Sequence, residues 1–200
     1  MARGAALAVA LVGWFGLGVQ AHATYGQVGG DVAQTAWVLL RYFTILTNIG
    51  VAVVFSMLAM GRKVSAPLLG GLVLAILLVG VVYMALLRGL LELSGGALLA
   101  DTLLHKVTPV LVTLWWLAFA PKRRLQWKHP LRWALFPLAY LPYALIRGKA
   151  EGLYAYPFIN LDRLGTAAVT FNAVAIAAAF LVAGLALVAL DRILPRKALR

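Results

Sequence analysis

Apolar residues fall in six long runs, at about Ala5–Ala23, Ala36–Met60, Ala66–Leu87, Ala100–Ala120, Leu131–Ile146 and Gly165–Leu190, separated by short polar stretches. Each run is near the ~20 residues that an α-helix needs to cross hydrocarbon at a rise of ~1.5 Å per residue. The pattern predicts an all-α polytopic membrane protein: one domain over residues 1–200 with six transmembrane helices. The fifth run is the shortest and carries Pro137 and Pro142, which predicts a tilted or bent span. The first run also fits a cleavable signal peptide, with Arg3 ahead of the apolar core and Ala21-His22-Ala23 after it, but its length favours a retained span. No unit of about 20 to 50 residues recurs, and the connections are too short for a second domain.

Composition strengthens this picture and removes several chemistries. With 64% hydrophobic and 12% charged residues and a mean hydropathy of +0.93, the chain cannot enclose itself in a polar shell as a soluble domain does. There are no cysteines, and the three histidines, His22, His105 and His129, are widely spaced. Disulfides and thiolate metal sites are therefore excluded, no metal or cofactor is expected, and the redox compartment is undetermined.

The net charge of +12 resembles a nucleic-acid signal until the bases are placed on the map of runs. With a cytoplasmic N-terminus, Arg3, Arg62, Lys63, Lys122, Arg123, Arg124, Lys128, Arg132, Arg192, Arg196, Lys197 and Arg200 all fall inside, twelve of the 18 bases. That is the positive-inside distribution, and it puts both termini in the cytoplasm of a multi-pass cell-membrane protein. Anionic lipids at the inner face, and no nucleic acid, are the expected partners of this charge. Trp115, Trp116, Trp127 and Trp133 read as an aromatic belt at that interface. Gly70, Gly71 and Gly80 on the third run fit either internal packing or a dimer contact.

The same topology places most intramembrane polar residues in the outer leaflet. The second run brings Arg41, Thr44 and Asn48 at i, i+3 and i+7, with Thr44 roughly 12 Å down a helix starting near Ala36. The fourth brings Asp101, His105 and Thr108. The fifth ends with Tyr140, Tyr143 and Arg147, and the sixth starts near Asn160, Thr166 and Asn172. A polar cavity at or just beneath the outer face is expected, with Tyr140, Tyr143, Asn160 and Asn172 as candidate lining, although Asn160 fits a helix cap equally well.

Ionisable groups in hydrocarbon need partners, so His105 with Asp101 one turn before it marks a candidate site. Helical side chains lean toward the N-terminus, which lets the carboxylate orient the imidazole and leaves the other ring nitrogen free as a base. A hydroxyl nucleophile requires such a base. Thr44 lies at matching depth, with Thr47 and Thr108 as rivals. The competing structural reading has Thr44 donating back to the carbonyl of Leu40 and Asp101 with His105 as a satisfied interfacial pair.

The strings Tyr42-Phe43-Thr44-Ile45-Leu46-Thr47-Asn48 and Leu104-His105, with Pro109 and Trp115-Trp116-Leu117, resemble the androgen-induced protein family of membrane hydrolases, in particular its bacterial members. Tyr156-Pro157-Phe158, Leu164-Gly165 and the six-run layout are similar too. The resemblance implies hydrolysis of fatty acid esters of hydroxy fatty acids, with Thr44 as nucleophile and His105 as base. Asp101 as orienting acid follows from spacing alone. Arg41 and Asn48 are candidates for holding a carboxylate or a developing oxyanion. The substrate would be a lipid with acyl chains, entering from the bilayer. A reading from a different class is a small transporter or lipid-binding protein in which Asp101, His105 and Arg41 bind a ligand or relay protons. Against transport, no corresponding pair of helices is broken by Gly and Pro in both halves.

Overall fold

The computed structural model describes residues 1–195, so Arg196, Lys197 and Arg200 of the basic tail lie outside the described residues. The described chain is helical throughout, without strands: α1 (Ala2–Gln27), α2 (Val32–Leu39), α3 (Phe43–Ala59), α4 (Ala66–Val82), α5 (Gly95–Thr102), α6 (Thr108–Phe119), α7 (His129–Trp133), α8 (Leu135–Glu151) and α9 (Leu161–Ile193). A π turn, Tyr83–Leu87, ends α4, a second, Leu103–Val107, joins α5 to α6, and a 3-10 turn spans Pro157–Ile159. Among the described residues, four helical stretches are long and apolar enough to cross a membrane: Ala2–Gln27, Ala66–Leu87, Gly95–Phe119 and Leu161–Ile193. A fifth follows if the bent pair α2 and α3 counts as one crossing.

The run Ala36–Met60 is therefore not one straight helix, as its pattern predicts, but two helices meeting at 99°. Neither Gly nor Pro marks the break. Its cause lies elsewhere in the chain, in side chains of α8 that satisfy the carbonyls a broken helix leaves free. The Tyr140 hydroxyl donates to the carbonyl of Arg41 (2.7 Å), the Tyr143 hydroxyl to that of Leu40 (3.0 Å), and Arg147 to that of Trp37. Tyr42, extended at φ −98° and ψ 129°, then starts α3.

The other runs depart less from expectation. In the fourth, Pro109 has no N–H to give the carbonyl of His105, and the backbone just before it widens into the π turn that carries His105. The fifth run is divided at Ala134; Pro137 sits in the first turn of α8, where a missing donor costs little, and Pro142 inside the helix. The sixth starts from Asn160, whose side chain caps α9 by accepting from the N–H of Arg163 (3.0 Å), and is interrupted at Gly165, where φ is 75°.

Long helices present large apolar side chains outward, among them Leu11, Phe15, Val81, Val110, Phe171 and Val182, while Thr44, Thr47, Asn48, Asp101, Thr108 and Asp191 are buried. This inversion of the usual soluble pattern is what a lipid solvent favours. The core joins α1, α3, α4, α6 and α9 through Val9, Val51, Phe55, Ile76, Val112, Trp116 and Val188. On α1, Gly13 and Gly16 allow close approach to Ala52 and Leu104 respectively. Asp191 on α9 accepts from the N–H groups of Arg124 (2.8 Å) and Leu125 (2.9 Å), pinning the basic loop after α6.

Two expectations change at the opposite side of the core. Trp115 and Trp116 are buried rather than belted at an interface, while Trp127 is half exposed. Gly70 and Gly71 serve internal packing, because the indole of Trp133 lies across them and donates to the carbonyl of Pro67 (2.8 Å). A Cβ at Gly71 would stand 2.6 Å from Trp133. Gly71→Val is expected to destabilise the protein by ~1–3 kcal/mol through overpacking. Gly18→Ala, where nothing lies within 4 Å, should not lower the unfolding midpoint in detergent, and equal midpoints for both variants would contradict this packing account.

Candidate active site

The bend between α2 and α3 puts Thr44 in the first turn of α3 instead of well down a continuous helix. Its N–H therefore has no helical carbonyl four residues back, and its hydroxyl does not fall back on Leu40. Thr44 is 6% exposed, and its Oγ lies 3.3 Å from Nε2 of His105.

His105 is held on three sides. Its Nδ1 lies 3.1 Å from the carbonyl of Asp101 and 3.2 Å from the Asp101 carboxylate. Both are acceptors, so Nδ1 carries the ring proton and Nε2 presents its lone pair toward Thr44. The Tyr83 ring stacks on the imidazole, with centroids 4.4 Å apart and planes 21° from parallel. The Tyr83 hydroxyl also donates to the other carboxylate oxygen of Asp101 at 2.6 Å, and Lys106 Nζ lies 3.5 Å from that oxygen. The two π turns thus meet at the site, one supplying Tyr83 and the other His105 and Lys106.

Tyr156, just before the 3-10 turn, closes the far side of Thr44. Its hydroxyl accepts from the Thr44 N–H at 3.3 Å and stands 3.4 Å from Thr44 Oγ. Sequence spacing points to neither Tyr83 nor Tyr156. The Tyr156-Pro157-Phe158 string was the only signal for the latter, and nothing in the third run distinguishes Tyr83 from an interfacial aromatic.

Beyond Thr44 a cleft runs between α3, α4, α8 and α9, with an empty volume of about 960 Å³ counted out to its open side. Phe43, Leu78, Val82, Leu138, Ile176 and Phe180 are among its walls, and among the described residues the polar side chains on it are those of Thr44, Tyr140 and Tyr156. The expected polar cavity is therefore an apolar one with the polar groups gathered at one edge. Most of these polar side chains pair with one another or with backbone groups, as a low-dielectric surrounding favours.

The remaining candidates separate accordingly. Tyr140 lines the cleft, whereas Tyr143, Asn160 and Asn172 do not; Asn172 instead donates to the carbonyl of Phe158 (2.9 Å). Asn48 gives its amide N–H groups to the carbonyls of Thr44 (2.9 Å) and Leu104 (3.3 Å), tying α3 to the π turn rather than facing an oxyanion. Among the described residues the hydroxyls of Thr47 and Thr108 are buried without a hydrogen-bond partner, so neither rival has a base there.

Arg41 sits in the bend, off the face shared by Thr44 and Asn48, and pairs with Glu151. Glu151, at the end of α8, also accepts from Arg147 Nε at 2.6 Å. Partial desolvation works against ionising Glu151, but the hydrogen bonds from Arg147 and Arg41 outweigh it and hold its carboxyl below the usual 4.5. A lowered carboxylate pKa stabilises the folded state above the unfolded value, and the contribution is lost as pH falls through the folded one. The unfolding midpoint is thus expected to drop on acidification below about 4.5, and Glu151→Gln to flatten that drop. A variant that retains the full acid dependence would show that other groups cause it.

Comparison of the chain with protein-family models, with curated proteins and with solved structures finds no match in any of the three.

Proposed function

We propose that this chain is an integral membrane lipid-ester hydrolase in which Thr44 is the nucleophile, His105 the general base and Asp101 the residue that orients the base. The observation that carries the reading is one imidazole, bound at Nδ1 by Asp101 and facing a buried threonine hydroxyl with Nε2 at 3.3 Å. A threonine hydroxyl is a weak nucleophile until a base takes its proton, and a base acts reliably only when its tautomer is held. The apolar cleft beside Thr44 suits an acyl chain, so the ester carbonyl would sit at the edge where chain and polar cluster meet.

The resemblance to the androgen-induced family supports the same pair of residues and makes fatty acid esters of hydroxy fatty acids the first substrates to try. Six crossings with both termini in the cytoplasm of a bacterial inner membrane complete the proposal, with α7 and α8 together supplying the crossing that is shortest in sequence. The distribution of bases supports this orientation and contact with anionic lipids at the inner face. The reading as a transporter or ligand-binding protein loses one of its three groups, since Arg41 is committed to Glu151.

Purified protein in detergent or nanodiscs should hydrolyse a branched fatty acid ester and react covalently with a fluorophosphonate probe at Thr44. Neither turnover nor labelling by wild type would favour the binding reading instead.

A further inference from the structure

We infer that the Tyr156 hydroxyl is itself a catalytic group, the oxyanion donor of this site, held in position by the Thr44 backbone N–H. The inference rests on the reading of Thr44 and His105 as nucleophile and base.

Ester cleavage places a full negative charge on the former carbonyl oxygen. Thr44 Oγ bonds to the carbonyl carbon as its proton passes to His105 Nε2, and the carbonyl π pair moves onto oxygen. Collapse of that intermediate breaks the bond to the alcohol oxygen, which takes the proton from His105 and leaves. Water then gives a proton to His105 and adds to the threonyl ester; collapse of the second oxyanion frees the acid, and Thr44 recovers its proton. Both oxyanions need donors already in place, because donors that must reorganise during the reaction help little.

The other polar groups near Thr44 have partners of their own, apart from Arg41 Nε, which is buried without one among the described residues. Arg41 is paired with Glu151, the Asn48 amide bonds two backbone carbonyls, and the Tyr140 hydroxyl donates to the carbonyl of Arg41. Tyr156 differs in that its oxygen accepts from the Thr44 N–H, which leaves its own proton to donate. In the resting site the acceptors within reach are Thr44 Oγ at 3.4 Å and the hydroxyl oxygen of Tyr140. The donors then run in one direction, from Thr44 N–H to Tyr156, from Tyr156 to Thr44 Oγ, and from Thr44 Oγ to His105. The oxyanion, on the oxygen of the carbon that Thr44 Oγ attacks, forms beside the phenol that the Thr44 N–H already holds.

Two further features make this arrangement more than a helix cap. Tyr156 and Thr44 both line the apolar cleft, the side on which an acyl substrate would lie, while His105 does not. The Tyr156 ring is also fixed, stacked on Phe158 at 5.2 Å with planes 5° from parallel and edge-on to Tyr42 at 6.1 Å. A cap needs only an acceptor oxygen, whereas an oxyanion hole needs a rigid donor.

The test uses the full chain with a p-nitrophenyl fatty acyl ester. Tyr156→Phe is expected to lower kcat by ~10²–10³-fold, the loss typical of one oxyanion donor, with KM altered far less. Replacing Tyr156 with 3,5-difluorotyrosine, which keeps ring and hydroxyl but makes the phenol more acidic, should move the alkaline limb of the kcat profile to lower pH. A structural cap would leave that limb in place. The proposal is overturned if Tyr156→Phe keeps kcat near wild type while Thr44→Ala is inactive, or if the fluorinated protein shows an unshifted profile. Should Tyr156→Phe not fold, the fluorinated protein decides. A wild-type protein without ester turnover would instead overturn the hydrolase reading, and this inference with it.

Discussion

Thr44→Ala should eliminate covalent labelling by a fluorophosphonate and lower ester turnover by at least ~10³-fold, because no other group at the site can replace an attacking hydroxyl. Thr47 and Thr108 are the nearest alternatives by type, and neither hydroxyl has a base among the described residues. Thr44→Ser is the informative partner variant. It keeps the hydroxyl but loses the branch that restricts χ1, so activity should survive with a loss of roughly tenfold or less. The bend explains why the hydroxyl is available at all. In an uninterrupted helix a threonine returns its proton to the carbonyl four residues earlier. Here Leu40 lies across the break, and its carbonyl is taken by Tyr143. Labelling that persists in Thr44→Ala would assign the nucleophile to another residue and end the present proposal.

His105→Ala is expected to cost ~10²–10⁴-fold in kcat, the usual range for a positioned general base. Asp101→Asn should cost less than the ~10⁴-fold seen when a buried triad carboxylate becomes an amide. The reason is local: Nδ1 also lies 3.1 Å from the backbone carbonyl of Asp101, an acceptor that the substitution does not remove. That carbonyl continues to favour the tautomer with Nε2 unprotonated. The amide still disturbs the Tyr83 hydroxyl, which donates to Asp101 at 2.6 Å and whose ring stacks on the imidazole. Measuring kcat for both variants separates the roles. A loss at Asp101 equal to or greater than that at His105 would mean that the carboxylate does more than orient the ring.

The long apolar helices were legible in the sequence because they depend on composition summed over windows of about twenty residues, and no tertiary contact can reverse such a sum. The i, i+4 relation of Asp101 and His105 was equally legible, since both lie on one helical segment and local geometry alone brings them together. The straight second span was not borne out. Its break has no Gly or Pro to announce it and is held by Tyr140, Tyr143 and Arg147, which lie about a hundred residues later. Arg41 was misplaced for the same reason, because a bend removes the residues on either side of it from a common face. Glu151, its partner, carries no sequence feature that would connect the two.

What the sequence by itself determined is therefore the presence and approximate positions of helices apolar enough to cross a membrane and the chemistry available to a small set of polar residues, all of which are local or additive properties. The tertiary structure alone decided that Thr44 stands at a helix start, 3.3 Å from His105, with Tyr83 behind the imidazole and Tyr156 across the hydroxyl. Those contacts join residues up to 112 positions apart. In an apolar surrounding each buried polar group must find a partner wherever the fold provides one, and that requirement selects among arrangements that helical periodicity leaves equivalent.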